Sequence, residues 1–412
     1  MSLTPVNTVN VGIDFGHGPS PVGRLAIRER KIYFEYDRSF IARSLELSPL
    51  RLPLQPGLQS FDAMLFERLP GAFNDSLPDG WGRLLLDRAM RAEGILPEQL
   101  SPLDRLAHVG SAGMGALIYE PDKGPEAAGE AIDLDLLAGQ AQAVLEGQAD
   151  EVLAELIALN GSSAGARPKA MIGCNPATGA MIHGGIDLPD GFEHWLVKFQ
   201  NAQDGPDAGA IEYVYAQMAK SAGLDMMEAH LFPAQKGAGF FATRRFDRDG
   251  RKRLHAHTAS GLLHADHRTP SLDYEDLMAL TMRLTRDIRE AEKMFRLAAF
   301  NVLAHNRDDH AKNFTFLMDE GGNWRLSPAY DLTFSAGPGG EQTTMVLGEG
   351  KAPGTEHLMK LGLDADLPLI RIQEIIAQTR DALVQWSALA SAHGVRPANI
   401  KLIESRISSS NK

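Results

Sequence analysis

The stretch AHNRDDHAKNF, residues 304–314, sets an Asn, an Arg, two Asp, a His, a Lys and a second Asn between apolar segments. A buried helix does not carry such a run, and a solvated loop has no need of those particular types. Two aspartates compete for any chemical role, and the spacing separates them. Asp308 stands five residues before Asn313, whereas Asp309 is one residue too close. Downstream, NFTFLMDEGGNWRLSPAYDLTF reads as a hairpin turning at Glu320-Gly321-Gly322-Asn323, and Asp331 follows it. Asp309 is read as a capping or loop carboxylate in a supporting role.

Protein kinases place a catalytic-loop Asp five residues before an Asn, then a hairpin, then a metal-binding Asp. One carboxylate orients an attacking hydroxyl and accepts its proton. An amide oxygen and a second carboxylate hold Mg²⁺, a hard ion that prefers oxygen ligands, against the phosphates of ATP. A short loop plus a hairpin brings the three side chains together. Upstream, NGSSAGARPK (160–169) offers backbone N–H groups to phosphates, because Gly165 and its small neighbours permit close approach. In HWLVKFQ (194–200), Trp195, Val197 and Phe199 share one strand face, while Leu196 and Lys198 take the other, where the ammonium can reach a phosphate. Glu212, on the helix expected over 209–222, is the candidate for orienting Lys198; read alone it would be a solvated helix residue.

The rest of the chain fits a globular protein of two or three domains. It has 412 residues, with 44% hydrophobic and 23% charged. No apolar run approaches the roughly 20 residues that span a bilayer. The opening MSLTPVNTVNVGIDF lacks a basic region followed by an apolar core, so no secretory signal is expected. The single cysteine, Cys174, excludes internal disulfides and reads as a small core residue in a strand, and a cytoplasmic location is expected. With 53 acidic against 41 basic residues the net charge is −12, which makes the chain a poor autonomous binder of nucleic acid. Residues 1–120 read as short strands and turns with a few helices. They include a hairpin over 21–37, with Ile32, Phe34 and Tyr36 on one face, and a helix from 78 onward. Residues 121–130, PDKGPEAAGE, read as a linker. A helix follows over DEVLAELIALNG, with Asp150 as N-cap and Gly161 as stop, then a hairpin over 167–185. GFFATRRFD (239–247) reads as a strand, and from about residue 273 the chain is mainly helical.

The segments GSSAGARPKA, WLVKF, RRFDR, NRDDHAKNF and LSPAYDLT resemble the successive motifs of HipA-type toxin kinases. VGRLAI, FEYD and LPDGWGRLLL resemble the domain that precedes the kinase in that family. The resemblance covers nearly the whole chain. It implies an α+β, two-lobed protein-kinase-like fold with an extra N-terminal subdomain over 1–125, an N-lobe over 126–250 and a helical C-lobe over 251–412. It implies a serine/threonine protein kinase with ATP and Mg²⁺ as cofactors that also phosphorylates itself. Its partners would be a helix-turn-helix HipB-like antitoxin, operator DNA reached through that antitoxin, and a protein substrate such as an aminoacyl-tRNA synthetase; no membrane is implied. Carried onto this sequence, Asp308 is the proton acceptor, Asn313 and Asp331 hold the metal, and Lys198 is the phosphate lysine. Ala164, Gly165, Ala166, Arg167, Pro168 and Lys169 form the nucleotide-covering loop. Arg244, Arg245 and Phe246 fall at the hinge beside adenine, and His310, Lys312 and Tyr330 join the nucleotide site. Ser162 or Ser163 takes the place of a regulatory phosphoserine. The family often has Glu where Arg244 stands, and Leu332-Thr333 replace the Phe-Gly that follows the metal Asp in ordinary protein kinases.

A small-molecule phosphotransferase and a catalytically silent corepressor are the alternatives. VGIDFGHG (11–18) contains an Asp-Phe-Gly ahead of every other kinase element, so it reads as a strand and turn. GSAGMG (110–115) reads as a structural turn. His255, His257, His264 and His267 fit no helix-borne metal pair and are expected to line a polar loop and helix start.

Overall fold

The computed structural model describes residues 4–61, 64–124, 131–148, 153–160, 165–185, 187–201 and 204–410. Ser162, Ser163, Ala164, Asp150, Gly161 and most of the 121–130 linker lie outside them. The strands are β1 (Thr8–Ile13), β2 (Ser20–Arg28), β3 (Lys31–Tyr36), β4 (Gln59–Ser60), β5 (Leu117–Glu120), β6 (Lys169–Cys174), β7 (Met181–His183), β8 (Glu193–Lys198), β9 (Ala229–Phe232), β10 (Phe240–Arg244), β11 (Arg248–Asp249), β12 (Lys252–Arg253), β13 (His255–Thr258), β14 (Thr315–Met318) and β15 (Trp324–Leu326). The sheet orders are β4-β3-β2-β1-β5, β7-β6-β8-β10-β9, β11-β12 and β13-β14-β15. Helices carry most of the chain beyond Thr355, so the class is α+β. None of the described helices is long and apolar enough to cross a membrane.

The chain divides into two compact units. Unit 1 comprises residues 1–203, 242–257 and 318–322, and unit 2 comprises 204–241, 258–317 and 323–412. In unit 1, β2 and β3 form the expected hairpin. Arg28 pairs with Lys31, and Glu29 and Arg30 between them both have positive φ, as a two-residue primed turn requires. Ile32, Phe34 and Tyr36 are buried on one face, each burial being worth roughly 2 kcal/mol. The 11–18 segment is strand β1 followed by a turn in which Asp14 Oδ1 accepts from the N–H groups of Gly16 and Gly18. Cys174 is a buried residue of β6. The helix expected from residue 78 spans Gly80–Ala92.

A buried charge cluster joins the 110–115 turn to the segment after β10. Arg245 grips Asp247 with two bonds of 2.9 and 2.8 Å, and Arg248 adds one of 2.7 Å. Gly115 N donates to the same carboxylate, while Arg248 and Arg253 donate to the carbonyls of Gly113, Gly115 and Ser111. The guanidinium neighbours hold Asp247 far below the usual carboxylate range despite full burial. Burial, with the adjacent Arg245 and Arg248, pushes His194 down to about 3. The GSAGMG turn therefore serves a structural end, as expected.

Two of the four histidines, His255 and His257, depart from expectation. His255 and His257 lie in strand β13 with no exposed surface. His255 Nε2 sits 3.0 Å from the Leu47 carbonyl. His257 lies between Asp75 (2.6 Å) and Ser48 (2.9 Å). They are core side chains of unit 1, and burial lowers His255 to about 4. Their alternation in HAHT points both into the interior.

Candidate active site

Within unit 2, the helix Ile288–Leu303 delivers the chain to residues 304–314. His305 takes a left-handed φ of 56°, which turns the backbone off the helix axis. Asp308 is exposed, whereas Asp309 has no exposed surface. The Nδ2 of Asn313 donates to the Asp308 carbonyl at 2.7 Å, closing the loop across five residues. That bond commits the donor end of the amide and leaves Oδ1, the end a hard cation prefers, for another partner.

The hairpin β14–β15 turns as expected, with Gly322 N donating to the Asp319 carbonyl and φ +81° at Gly322. Beyond it, Tyr330 OH donates to the Lys312 carbonyl at 2.6 Å and contacts Thr315 Oγ1 at 2.6 Å. Ser335 N donates to the His305 carbonyl at 3.2 Å. These ties on either side of Asp331 bring its segment against the 304–314 loop. Asp331 itself holds φ at 56°, a conformation in which Asp is tolerated better than most side chains. Lys312 is buried and His310 half-buried in the same loop.

Asp309 is a buried hub rather than a capping carboxylate. Its Oδ1 accepts from Thr343 N and Thr344 N, both at 3.0 Å, and its Oδ2 from Tyr274 OH at 2.6 Å and Gln342 Nε2 at 2.9 Å. Asn301 Nδ2 donates to Tyr274 OH, Asn306 Nδ2 donates to Asn301 Oδ1, and Gln342 Nε2 also donates to the Asn306 carbonyl. Burial pushes Asp309 up to about 7 against these hydrogen bonds. Burial and the adjacent Asp309 raise Tyr274 well above the ordinary phenol range. Sequence reasoning missed Tyr274, Asn301, Gln342, Thr343 and Thr344, because they come from three separate segments with no shared local pattern.

The phosphate-binding candidates lie in unit 1. In the antiparallel β6–β8 pair, Lys169 stands directly opposite Lys198, one register step beyond Ala170–Val197. Both side chains therefore leave the same sheet face. Trp195, Val197 and Phe199 are buried on the other, as the strand pattern predicts. Gly165 has φ +109°, a conformation that favours glycine, and a Cβ there would stand 2.5 Å from Lys169 Nζ. Phe199 N donates to the Pro168 carbonyl, fixing the loop's far end to β8. Ala166 and Arg167 complete the described part of the loop.

Of the hinge candidates, Arg244 lies 3.6 Å from Glu193 and 3.4 Å from Asp249. The Arg245 guanidinium is engaged by Asp247 and its N–H donates to the His194 carbonyl, so that side chain is committed inward. Phe246 is half-buried. Glu212 lies on helix Ala208–Ser221 in unit 2 and is buried, not solvated.

A model of the HipA N-terminal domain matches residues 17–120. The Y4dM protein of Sinorhizobium fredii (strain NBRC 101917 / NGR234), provisionally named a kinase, is 26% identical over 282 residues. That match takes in 64% of this chain and 62% of the length of this curated relative. The HipA of Shewanella oneidensis MR-1, solved with HipB and operator DNA, superposes with a TM-score of 0.70 at 16% identity, covering 97% of this chain and 95% of its own. That likeness shows the fold, the α+β kinase-like HipA architecture. A model of the HipA-like C-terminal domain matches residues 161–387, more than half of the chain, and the chain therefore belongs to the HipA family.

Proposed function

We propose that this protein transfers the γ-phosphoryl group of ATP to a serine or threonine hydroxyl of another protein, and to itself, as the growth-arresting toxin of a toxin–antitoxin pair. The observation that carries this reading is the closed loop in which exposed Asp308 and the Asn313 amide are locked together. Asp308 hydrogen-bonds the incoming hydroxyl and takes its proton as that oxygen bonds to the γ-phosphorus and the bond to ADP breaks. Asn313 Oδ1 and the Asp331 carboxylate form an all-oxygen donor pair that fits Mg²⁺, which neutralises charge developing on the phosphates. Lys198 and Lys169 pair with phosphate oxygens, and the backbone N–H groups of Ala166 and Arg167 add to them.

The test is labelling of a cell lysate with the purified chain and γ-labelled ATP. Label in protein supports the reading; label confined to metabolites would show a small-molecule phosphotransferase instead. Asn313→Ala and Asp331→Ala are expected to shift the Mg²⁺ concentration for half-maximal activity upward by about tenfold or more. A titration that is unchanged in both would remove them from the metal site.

Further parts of the proposal follow from the family. A HipB-like helix-turn-helix antitoxin is the partner, and at net charge −12 this chain reaches operator DNA through it. An aminoacyl-tRNA synthetase is the proposed target class. Ser162 or Ser163 is the proposed self-phosphorylation site; a phosphate adds about −1.5 to −2 charge beside the ATP phosphates and repels them. Preincubation with ATP should then inactivate the wild-type chain but not a Ser162→Ala/Ser163→Ala protein. Loss of activity in both would exclude these serines.

A further inference from the structure

The loop that covers the nucleotide in this reading is held by a part of the chain that makes no contact with phosphate in that proposal. Asp79 precedes the helix Gly80–Ala92, yet its side chain makes no cap hydrogen bond to that helix. Its Oδ1 instead accepts from Gly165 N at 2.5 Å, across 86 residues of sequence. Trp81 N, one of the helix's unsatisfied first-turn donors, returns a bond of 3.0 Å to the Gly165 carbonyl. Both backbone polar groups of Gly165 are thus fixed by residues of the LPDGWGR segment.

Gly80 shows how close this contact is. Its φ is +44°, and a Cβ would meet the Gly165 carbonyl oxygen at 2.6 Å and Ala166 Cα at 2.7 Å. The two backbones can touch because residue 80 is glycine. A Cβ on Gly165 would stand 2.5 Å from Lys169 Nζ. Gly165 is therefore held by the helix start and lies against the β6 lysine, all within unit 1.

We infer that Asp79 is a positioning residue for nucleotide binding: through Gly165 it sets the path of the 165–169 backbone over Lys169. This rests on the phosphotransferase reading above. An aspartate carboxylate binding a loop N–H makes a charge-assisted bond, stronger than the neutral bond an ordinary turn would offer. An unanchored loop samples conformations whose N–H groups miss the phosphates, and affinity falls by the competent fraction. The effect therefore falls on KM for ATP and not on the chemical step.

Asp79→Ala and Asp79→Asn are compared in the full chain, with thermal unfolding as the control for folding. Asn keeps the Oδ1 acceptor, so it should restore most of what Ala loses. Amide hydrogen exchange of residues 165–169 is followed without nucleotide, and KM and kcat for ATP are measured at saturating Mg²⁺. In Asp79→Ala, exchange protection at Gly165 should fall and KM should rise about tenfold, the factor of one such bond, with kcat within about twofold. Unchanged protection in Asp79→Ala, or lost protection with KM unchanged, would overturn the positioning role while leaving the phosphotransferase reading intact. A wild-type chain that binds no MgATP, tested separately by calorimetry, would overturn both.

Discussion

Replacing Asp308 with Ala is expected to slow phosphoryl transfer by about a hundredfold to ten-thousandfold, the range of a positioned general base. The side chain is exposed, so unfolding free energy should stay within about 0.5 kcal/mol of wild type. The loop keeps its shape because the Asn313 bond goes to the Asp308 carbonyl, which Ala retains. In cells, the variant should lose growth arrest while still binding its antitoxin. A variant as toxic and as active as wild type would remove Asp308 from the mechanism.

Asp309→Ala is expected to act through stability. Truncation leaves four donors, the N–H groups of Thr343 and Thr344, Tyr274 OH and Gln342 Nε2, facing a buried void. Stranding several buried donors costs about 3 kcal/mol or more, enough to threaten a typical fold. Denaturant unfolding measures it; a loss below about 1 kcal/mol would show that the network is not structural.

The same group gives the fold a pH dependence of definite sign. Its folded-state value of about 7 lies above the ordinary 3.8, so the native state holds a proton that the unfolded chain releases. The stability this contributes is fully present below about pH 4 and is lost as pH rises through 7. At about 1.4 kcal/mol per unit, the full contribution is on the order of 4 kcal/mol. Asp309→Asn carries no such proton and should flatten the fall in stability between pH 4 and 7, at a cost of about 1 kcal/mol for a misdirected amide hydrogen. An unchanged pH slope in Asp309→Asn would place the titrating group elsewhere.

Much of the fold could be read locally. The β2–β3 hairpin, the aromatic face of β8, the β14–β15 hairpin and the helix from residue 80 all announce themselves by period or turn residues within a few positions. The alternating pattern 194–199 assigned Lys198 to the face opposite the aromatics, and the register with β6 then set Lys169 beside it. The histidines of β13 were misjudged for one reason. A polar side chain in a short segment reads as solvated unless its buried partners are known. Those partners lie far off, at Leu47, Ser48 and Asp75 for the histidines.

The two aspartates of NRDDHAKNF show where sequence ends and tertiary structure begins. Sequence alone singled out Asp308 as the candidate to carry chemistry, because a five-residue loop fixes its relation to Asn313 by short-range geometry. It also determined the family, through ordered motifs spread along the chain. Only the tertiary structure decided that Asp309 is sealed inside, since the groups that bind it stand 35 residues earlier and 33 to 35 later. Likewise only the fold joined Asp79 to Gly165. Periodicity and turn chemistry act over a few residues, whereas burial and hydrogen-bond partners at long range are set by packing.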